Sequence, residues 1–494
     1  MKSIFNHKLF FTLLIVSVLI ISCEKFLEED TYGLLTPEAT IKTPEDIRAA
    51  VDAIYAKLKS SHGSRYSILS INWLASEIVS TRMGGSEGLM DEYKLEVTNE
   101  LLDNVFQASY EGIKRANTVV DYIDGITFNS ENEKNELLAE ARFMRAFQYF
   151  NLVRLFGAVP KYMSVPKNPD EVHVPRSSVN EIYGEIILPD LEFSITNLPD
   201  VNGDGRTNKV ASQMLLSKVY MTLEEWDNAI NPILQVINNQ NYGLVDNWAD
   251  LWLDPNENKE IIFAIQYINL SGHMNTFSSN FGITTGGSMS NPIYYSEWPY
   301  YNNYPEGSRK DALFLTEHVE PDGTVLHIED AGWAQGWHQP LFKCYLDAKP
   351  DVLGNGVDIP LLRFADALLM YAEIENEING PSTEAYDAIN KVRRRAAGVD
   401  INTPSQADLS GLSKSDFREA VFQERRWELP LEGHSLFDAL RCGLEKFREV
   451  MASSEPVIGS ILNPIEEYRL LLPFPAYEIQ RNNNIDFSDQ NPGY

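Results

Sequence analysis

Cysteine, positive charge and long apolar runs are all scarce in this chain, and each shortage closes off a class of protein. Only Cys23, Cys344 and Cys442 occur in 494 residues, too few for a disulfide framework, so the fold must rest on burial. Whether Cys344 and Cys442 pair in an oxidising compartment stays open. Lys and Arg number 41 against 71 Asp and Glu, a formal net charge of −30. So acidic a body repels phosphate, and no basic stripe interrupts it, which argues against nucleic-acid binding. The longest apolar run, Leu9 to Ile21, is about 13 residues, against the about 20 that a membrane-crossing helix needs. The 8 histidines never fall in H-E-x-x-H or another zinc spacing, so no transition-metal centre is expected.

What is present starts with that short run. Lys2 and Lys8 lead into it, and "LIISCEKFLEED" (19 to 30) closes it on Cys23. A basic start followed by a short apolar core is a secretory signal. Ile20, Ile21, Ser22 and Cys23 have the pattern of a bacterial lipobox, in which residues 1–22 are removed and the cysteine is acylated. An ordinary signal with an incidental cysteine is the alternative. Several acyl chains suffice for stable anchoring, so residues 23–494 are expected outside the cell membrane, held by lipid.

Beyond Cys23, helical periodicity dominates. In "AEARFMRAFQYFNLVRLFG" (139 to 157), Phe143, Phe147 and Phe150 form one stripe, while Ala146, Tyr149, Val153 and Phe156 form another. A helix apolar on two faces must lie between others. Gly157 and then Pro160 end it. Similar periods occur at 45–58, 101–123, 210–223, 226–239, 361–378 and 383–398. In the pair 210–239, Leu216, Tyr220, Trp226 and Ala229 fit the aromatic and small positions of a tetratricopeptide hairpin. Residues 62–100 and 270–357 lack this period and are rich in Gly, Asn, Ser, Pro and aromatics. "EIIFAIQYI" (260 to 268) is the best strand candidate.

Eight blocks in order carry a resemblance: "CEKFLEED", "AEARFMRAFQYFNLVRLFGAVP", "VPRSSVNEIYGEIILPDLEFSITNLP", "WADLWLDPNENKEIIFAIQY", "LLRFADALLMYAEIENEI", "AINKVRRRAAG", "FQERRWELPLEGHSLFDALR" and "LLPFPAYEIQRNNNIDFSDQNPGY". Together they resemble the SusD/RagB family of Bacteroidetes surface lipoproteins, over essentially all of residues 23–494. The resemblance implies a mostly α fold, with tetratricopeptide-like helix pairs packed against an irregular loop-rich half that has a few short strands. The helical scaffold would lie mainly in 40–60, 101–239 and 360–450, and the ligand-binding half mainly in 62–100 and 270–357. It also implies a binding protein and not an enzyme, without cofactor, lipid-anchored at the outer membrane and facing the exterior. Its partners would be an oligosaccharide or polysaccharide and a SusC-like TonB-dependent transporter. Peptide capture by the same kind of lid is the alternative, and a surface glycoside hydrolase a more distant one.

The residues themselves suggest where binding could occur. "NPIYYSEWPYYNNY" (291 to 304) holds Tyr294, Tyr295, Trp298, Tyr300, Tyr301 and Tyr304. Sugar rings stack their C–H faces on aromatic planes, and phenol and amide edges bond hydroxyls. The alternative is that these rings pack the irregular half onto the helices, with two or three left exposed. Trp333 and Trp337 in "AGWAQGWH" pose the same choice between exposed ring and local packing. Trp73 precedes a Gly-rich loop in which Glu77, Arg82 and Asp91 could bind hydroxyls. "GGSEG" (84 to 88) matches a nucleophile elbow formally, but no histidine partner stands out. "DVNGDGRTN" places Asp200, Asn202, Asp204 and Asn208 at calcium-loop positions, yet Ala211 stands where an EF-hand needs Glu. A polar turn capping the next helix competes with calcium there. Arg393, Arg394 and Arg395 sit near a helix C-terminus, where the dipole favours cations, and Glu424, Arg425, Arg426 and Glu428 are expected to form ion pairs between helices; both groups are read as architectural.

Overall fold

A computed structural model describes residues 37–63, 65–203, 205–252, 258–268, 270, 273–281, 292–320, 322–343 and 356–494. The chain divides into two compact units, Met1–Lys42 and Thr43–Tyr494. Of the first, residues 37–42 are described, with one helical turn at Pro37–Thr40. Cys23 and its lipobox lie outside the described residues, as do Asp204 and Cys344.

The larger unit opens with α1 (Pro44–Ser61), started by a Thr43–Asp46 capping box with Pro44 in the first turn, so its first N–H groups find acceptors. Next come α2 (Glu100–Tyr122) and α3 (Glu131–Phe156), capped by Asn99 and Ser130. α3 ends at Gly157, whose φ of 71° suits glycine and whose missing Cβ would meet Leu471 at 2.9 Å. The two apolar stripes of α3 are both buried: α1 and α2 cover one side, and α4 (Leu188–Asn197) packs on the other. That is the sandwiched position its sequence calls for.

α5 (Lys209–Thr222) and α6 (Trp226–Ile237) then form a tight hairpin. Ser217 Oγ on α5 donates to the Ala229 carbonyl at 2.9 Å, a close approach that needs small residues. Strand β1 (Val79–Thr81) belongs to the irregular half, and β2 (Ile261–Ile265) sits where a strand is expected. After β3 (Tyr294–Ser296) and the short α7 (Trp298–Asn303), β4 (Ile359–Arg363) pairs antiparallel with β2. The periodic segment 361–378 therefore starts as strand, and helix α8 (Phe364–Asn379) begins only after Arg363. α8 packs on α6, on α9 (Thr383–Ala396) and on α10 (Lys414–Glu428), and α11 (Ser435–Arg441) follows. The protein is mostly α, tetratricopeptide-like hairpins with a few short strands in the irregular part.

A buried charge network ties β4 to this frame. Arg363 donates to Glu260 at 2.7 Å, to Glu428 at 2.8 Å and to Glu432 at 2.7 and 2.9 Å. Arg395 links Glu260 to Glu428, and Arg309 links Glu424 to Glu428. Burial opposes ionisation of Glu428, yet Arg395, Arg363 and Arg309 hold its carboxyl down at about 2. The arginines near the end of α9 thus serve as interior ion pairs, with Arg394 bound to Asp408 and Arg393 to Glu424.

Candidate functional site

Two parts of the irregular half, more than 200 residues apart, meet where β1 pairs antiparallel with β3, Val79 opposite Ser296 and Thr81 opposite Tyr294. Alternation along β3 sends Tyr294 and Tyr295 into two separate cores. Tyr294 packs with Trp73 and Phe281, and Trp73 also meets Phe277. The Tyr294 hydroxyl donates to Glu87 at 2.5 Å, and Arg65 pairs with the same carboxylate. Tyr295 joins Leu315, Ile328, Trp333, Ala334 and Leu341 in the second cluster.

This second cluster carries the half-open rings. Trp298 and Trp337 both rest on it, partly buried, together with Leu326 and Val457. Trp337 lies 6.1 Å from Tyr295, centroid to centroid. Trp333 is fully buried, and its Nε1 donates to the Gln339 carbonyl at 2.8 Å. The loop achieves this inversion of two nearby tryptophans through left-handed backbone at Ala334 (φ 41°), Gly336 (φ 87°) and His338 (φ 46°). Such conformations are costly for non-glycine residues and persist only where the surroundings hold them; His338 Nδ1 sits 2.9 Å from the Ile328 carbonyl.

Helix α7 sorts the remaining aromatics by its period. Tyr300 and Tyr304 face inward, donating to the Arg426 and Trp427 carbonyls at 2.8 and 2.6 Å. Trp298 and Tyr301 are neighbours on the outer side, 5.7 Å apart and near perpendicular at 83°. Tyr301 also meets Phe314 edge-on, with Lys310 Nζ 4.6 Å over its ring. Asn302 and Asn303 are exposed beside them. A ridge of Trp337, Trp298 and Tyr301, braced from below and flanked by amides, can stack flat apolar faces and bond hydroxyl groups.

Several of the residues expected to bind ligand are corrected by burial. Trp73, Tyr294 and Trp333 expose 2%, 0% and 0% of their surface, and Tyr300 4%; each fills a core where the irregular half meets its support. Asp91 is fully buried, accepting from Ser80 Oγ at 2.7 Å and Thr81 N at 3.1 Å, so it locks β1 in place. Glu77 is likewise buried, on Arg426. Arg82 is half-exposed, and its Nε donates to the Pro292 carbonyl at 2.7 Å while its guanidinium engages Tyr295. It stiffens the base of the ridge. Residues Val457 and Leu326, which complete that base, carry no motif that a sequence reading could find.

Two acids next to the ridge have strongly raised pKa values. Burial pushes Asp91 up to about 8, with Glu92 adding to it against the bonds from Thr81 and Ser80. Burial likewise holds Glu297 well above the usual range, opposed by the Ser454 hydroxyl. Neither is open to solvent. At "GGSEG" the strand Val79–Thr81 precedes the segment, but the helix Gly85–Asp91 takes in all of it except Gly84, and Ser86 Oγ accepts the Glu100 N–H at 3.2 Å.

In the calcium-like loop the described side chains already have other partners. Asn208 caps α5, its Oδ1 accepting from Ala211 N at 2.8 Å while its Nδ2 donates to Tyr242 and to the Ile262 carbonyl. Asn202 is spent on Thr207 and Gly203, and Asp200 lies 3.5 Å from Lys209. Among the described residues no group of acids, histidines and cysteines is gathered as a metal site. Asn208→Ala is expected to cost about 1–2 kcal/mol, the size of a lost N-cap, in urea unfolding. Equal midpoints with calcium and with chelator are expected; a midpoint raised by calcium alone would return the loop to metal binding.

The fold and this ridge define a helical-hairpin scaffold that carries its exposed rings on an irregular side. Comparison with known proteins makes the assignment specific. Residues 327–494 match the SusD family, and residues 25–221 match a SusD-like family described as starch-binding and associating with the outer membrane. A SusD-like protein of Formosa agariphila is 28% identical over 96% of this chain and 97% of its own. A SusD homologue of Bacteroides thetaiotaomicron has a solved structure that superposes with a TM-score of 0.77 at 25% identity, covering 93% of this chain and 98% of that one. A laminarin-binding SusD-like protein superposes with a TM-score of 0.74 at 22% identity, over 92% of this chain and 100% of that one. The chain belongs to the SusD/RagB family.

Proposed function

We propose that this protein is a lipid-anchored, outward-facing glycan-binding protein of the outer membrane, which captures an oligosaccharide or polysaccharide and passes it to a SusC-like TonB-dependent transporter. The observation that carries the binding step is the Trp298, Tyr301 and Trp337 ridge, half-open and rigidly backed by a packed cluster. The family's description as starch-binding and the laminarin-binding relative support a glycan as ligand. Binding without hydrolysis is favoured because the two acids with raised pKa next to the ridge, Asp91 and Glu297, are sealed from any sugar, whereas a glycosidase needs two carboxyl groups flanking the bond. No helix among the described residues is long and apolar enough to cross a membrane, so anchoring through an acylated Cys23 is the proposed attachment.

Calorimetry against a panel of polysaccharides tests the ridge. Trp298→Ala and Trp337→Ala are each expected to weaken the bound glycan about tenfold, the equivalent of about 1.4 kcal/mol. Trp333→Ala should instead lower the melting temperature, since it opens the core beneath. Unchanged affinity in both surface variants, with a glycan bound by the wild type, would move the site elsewhere. Binding of peptides in place of glycans would replace the ligand class.

A further inference from the structure

Far from the ridge in sequence, a cavity of about 340 Å³ opens between α3, α5 and α11, lined mainly by apolar side chains such as Met221, Leu223 and Met370. Four cations border it or stand behind its wall, and three have carboxylate partners. Lys218 pairs with Asp366 at 2.7 Å, Arg425 with Asp366 and Asp438 at 2.7 and 2.8 Å, and Arg441 with Glu373 and Asp438. Arg154 is the fourth, and it has no ion pair among the described residues. Its Nε reaches only the Phe150 carbonyl at 3.3 Å, and its Nη2 donates to Asn151 Oδ1 at 2.5 Å. The guanidinium is clamped between two rings, 3.9 Å from the Phe150 centroid and 3.5 Å from that of Phe437.

Arg154 is half-buried, and a guanidinium partly drawn out of water without an anion is costly unless something else compensates. The two rings offset part of that cost. Burial, with Arg441 acting in the same direction, still pushes its pKa down to about 9 against Tyr183 and Asp438. His434 cannot serve as an anion, and burial with Lys218 nearby drives it down to about 3, so it is neutral. The pocket therefore has one positive charge in excess in a chain that is strongly acidic overall. We propose that this cavity is a binding site for a small carboxylate with an apolar body, its carboxyl group bonded to the Arg154 guanidinium and its body against the methionine and leucine walls. Nη1, which makes no hydrogen bond within the described residues, supplies the donor, in the charge-assisted geometry that makes Arg–carboxylate contacts strong. The site is separate from the proposed glycan ridge and does not depend on it.

Saturation-transfer NMR and thermal shift on the full mature chain test this with benzoate and cyclohexanecarboxylate, benzamide as the neutral isostere, and glucuronate as an acid with a polar body. Benzoate and cyclohexanecarboxylate are expected to bind and raise the melting temperature, benzamide and glucuronate far less. Arg154→Met, which keeps the ring sandwich filled, should weaken benzoate at least about tenfold while leaving glycan binding unchanged. Leu223→Trp keeps every charge but fills the mouth, and should block benzoate as well, so the test survives even if the arginine variant misfolds. Benzamide binding as well as benzoate, glucuronate binding best, no binding of either apolar acid at millimolar concentration, or full affinity in Leu223→Trp would each overturn the proposal.

Discussion

Arg363→Met is expected to destabilise the protein by at least about 3–5 kcal/mol, the range measured when one partner of a buried ion pair is removed. The reason is the number of acids that Arg363 serves. Glu260, Glu428 and Glu432 all lose a donor at once, and all are buried, in a region where the arginine itself exposes nothing. Arg395 and Arg309 remain, but they already hold Glu260, Glu424 and Glu428, so Glu432 is left with no cation. Urea unfolding followed by far-UV circular dichroism checks this. A companion change, Arg418→Met, removes an ion pair to Glu377 whose arginine is about half-exposed and should cost about 0–1 kcal/mol. Equal small losses in both variants would mean that the interior network contributes little.

Asp91→Asn should make the protein more stable than the wild type at alkaline pH, by on the order of 5 kcal/mol near pH 8, and about equal near pH 4. The sign follows from proton binding. The ordinary value is 3.8 and the folded value about 8, so between those limits the folded state holds a proton that the unfolded state has released. Wild-type stability from this residue therefore falls as pH rises through the window, and asparagine, which cannot ionise, removes the fall. Relief of the repulsion between Asp91 and Glu297 works in the same direction. Other groups oppose this trend. His62, lowered by burial to about 3, contributes stability above its ordinary value of 6.5 that is lost as pH drops toward 3. The difference between variant and wild type, taken from urea midpoints at several pH values, isolates Asp91. A difference that does not change with pH would mean that the carboxylate stays ionised in the folded protein.

Both predictions concern residues whose role lies in long-range packing, which marks how far the sequence could be read. The helical half was legible because its signals are local. Thr43 with Asp46 begins α1, Ser130 begins α3, and Gly157 stops it; each depends on neighbours within a few positions. The double apolar stripe of α3 announced a sandwiched helix for the same reason. The start of α8 was not legible, because the pull of β2 turned Ile359–Arg363 into a strand, and a pairing partner almost a hundred residues away leaves no local trace. The arginines of α9 were readable as architectural cations near a helix end and the acids of α10 as ion-pairing residues, whereas their pairing with each other and with Glu260 at the β2 edge was not.

The aromatic half shows the other limit. A run of tyrosines and tryptophans states how much ring surface is available without stating which rings face water. Alternation along β3 buried Tyr294 and Tyr295, the period of α7 buried Tyr300 and Tyr304 and left Trp298 and Tyr301 half-open, and three left-handed residues turned Trp333 in and Trp337 out. Arg154 carried one local signal, an arginine in the doubly apolar stretch of α3; that it lacks a carboxylate became visible only when Asp366 and Glu373 of α8 and Asp438 of α11 had partnered every other cation nearby. By itself the sequence determined the family, the helical class and the chemistry on offer, since composition, caps and periods act over a few residues. Only the tertiary structure decided which side chains are interior and which remain open, because burial depends on what distant segments bring to the other side of each residue.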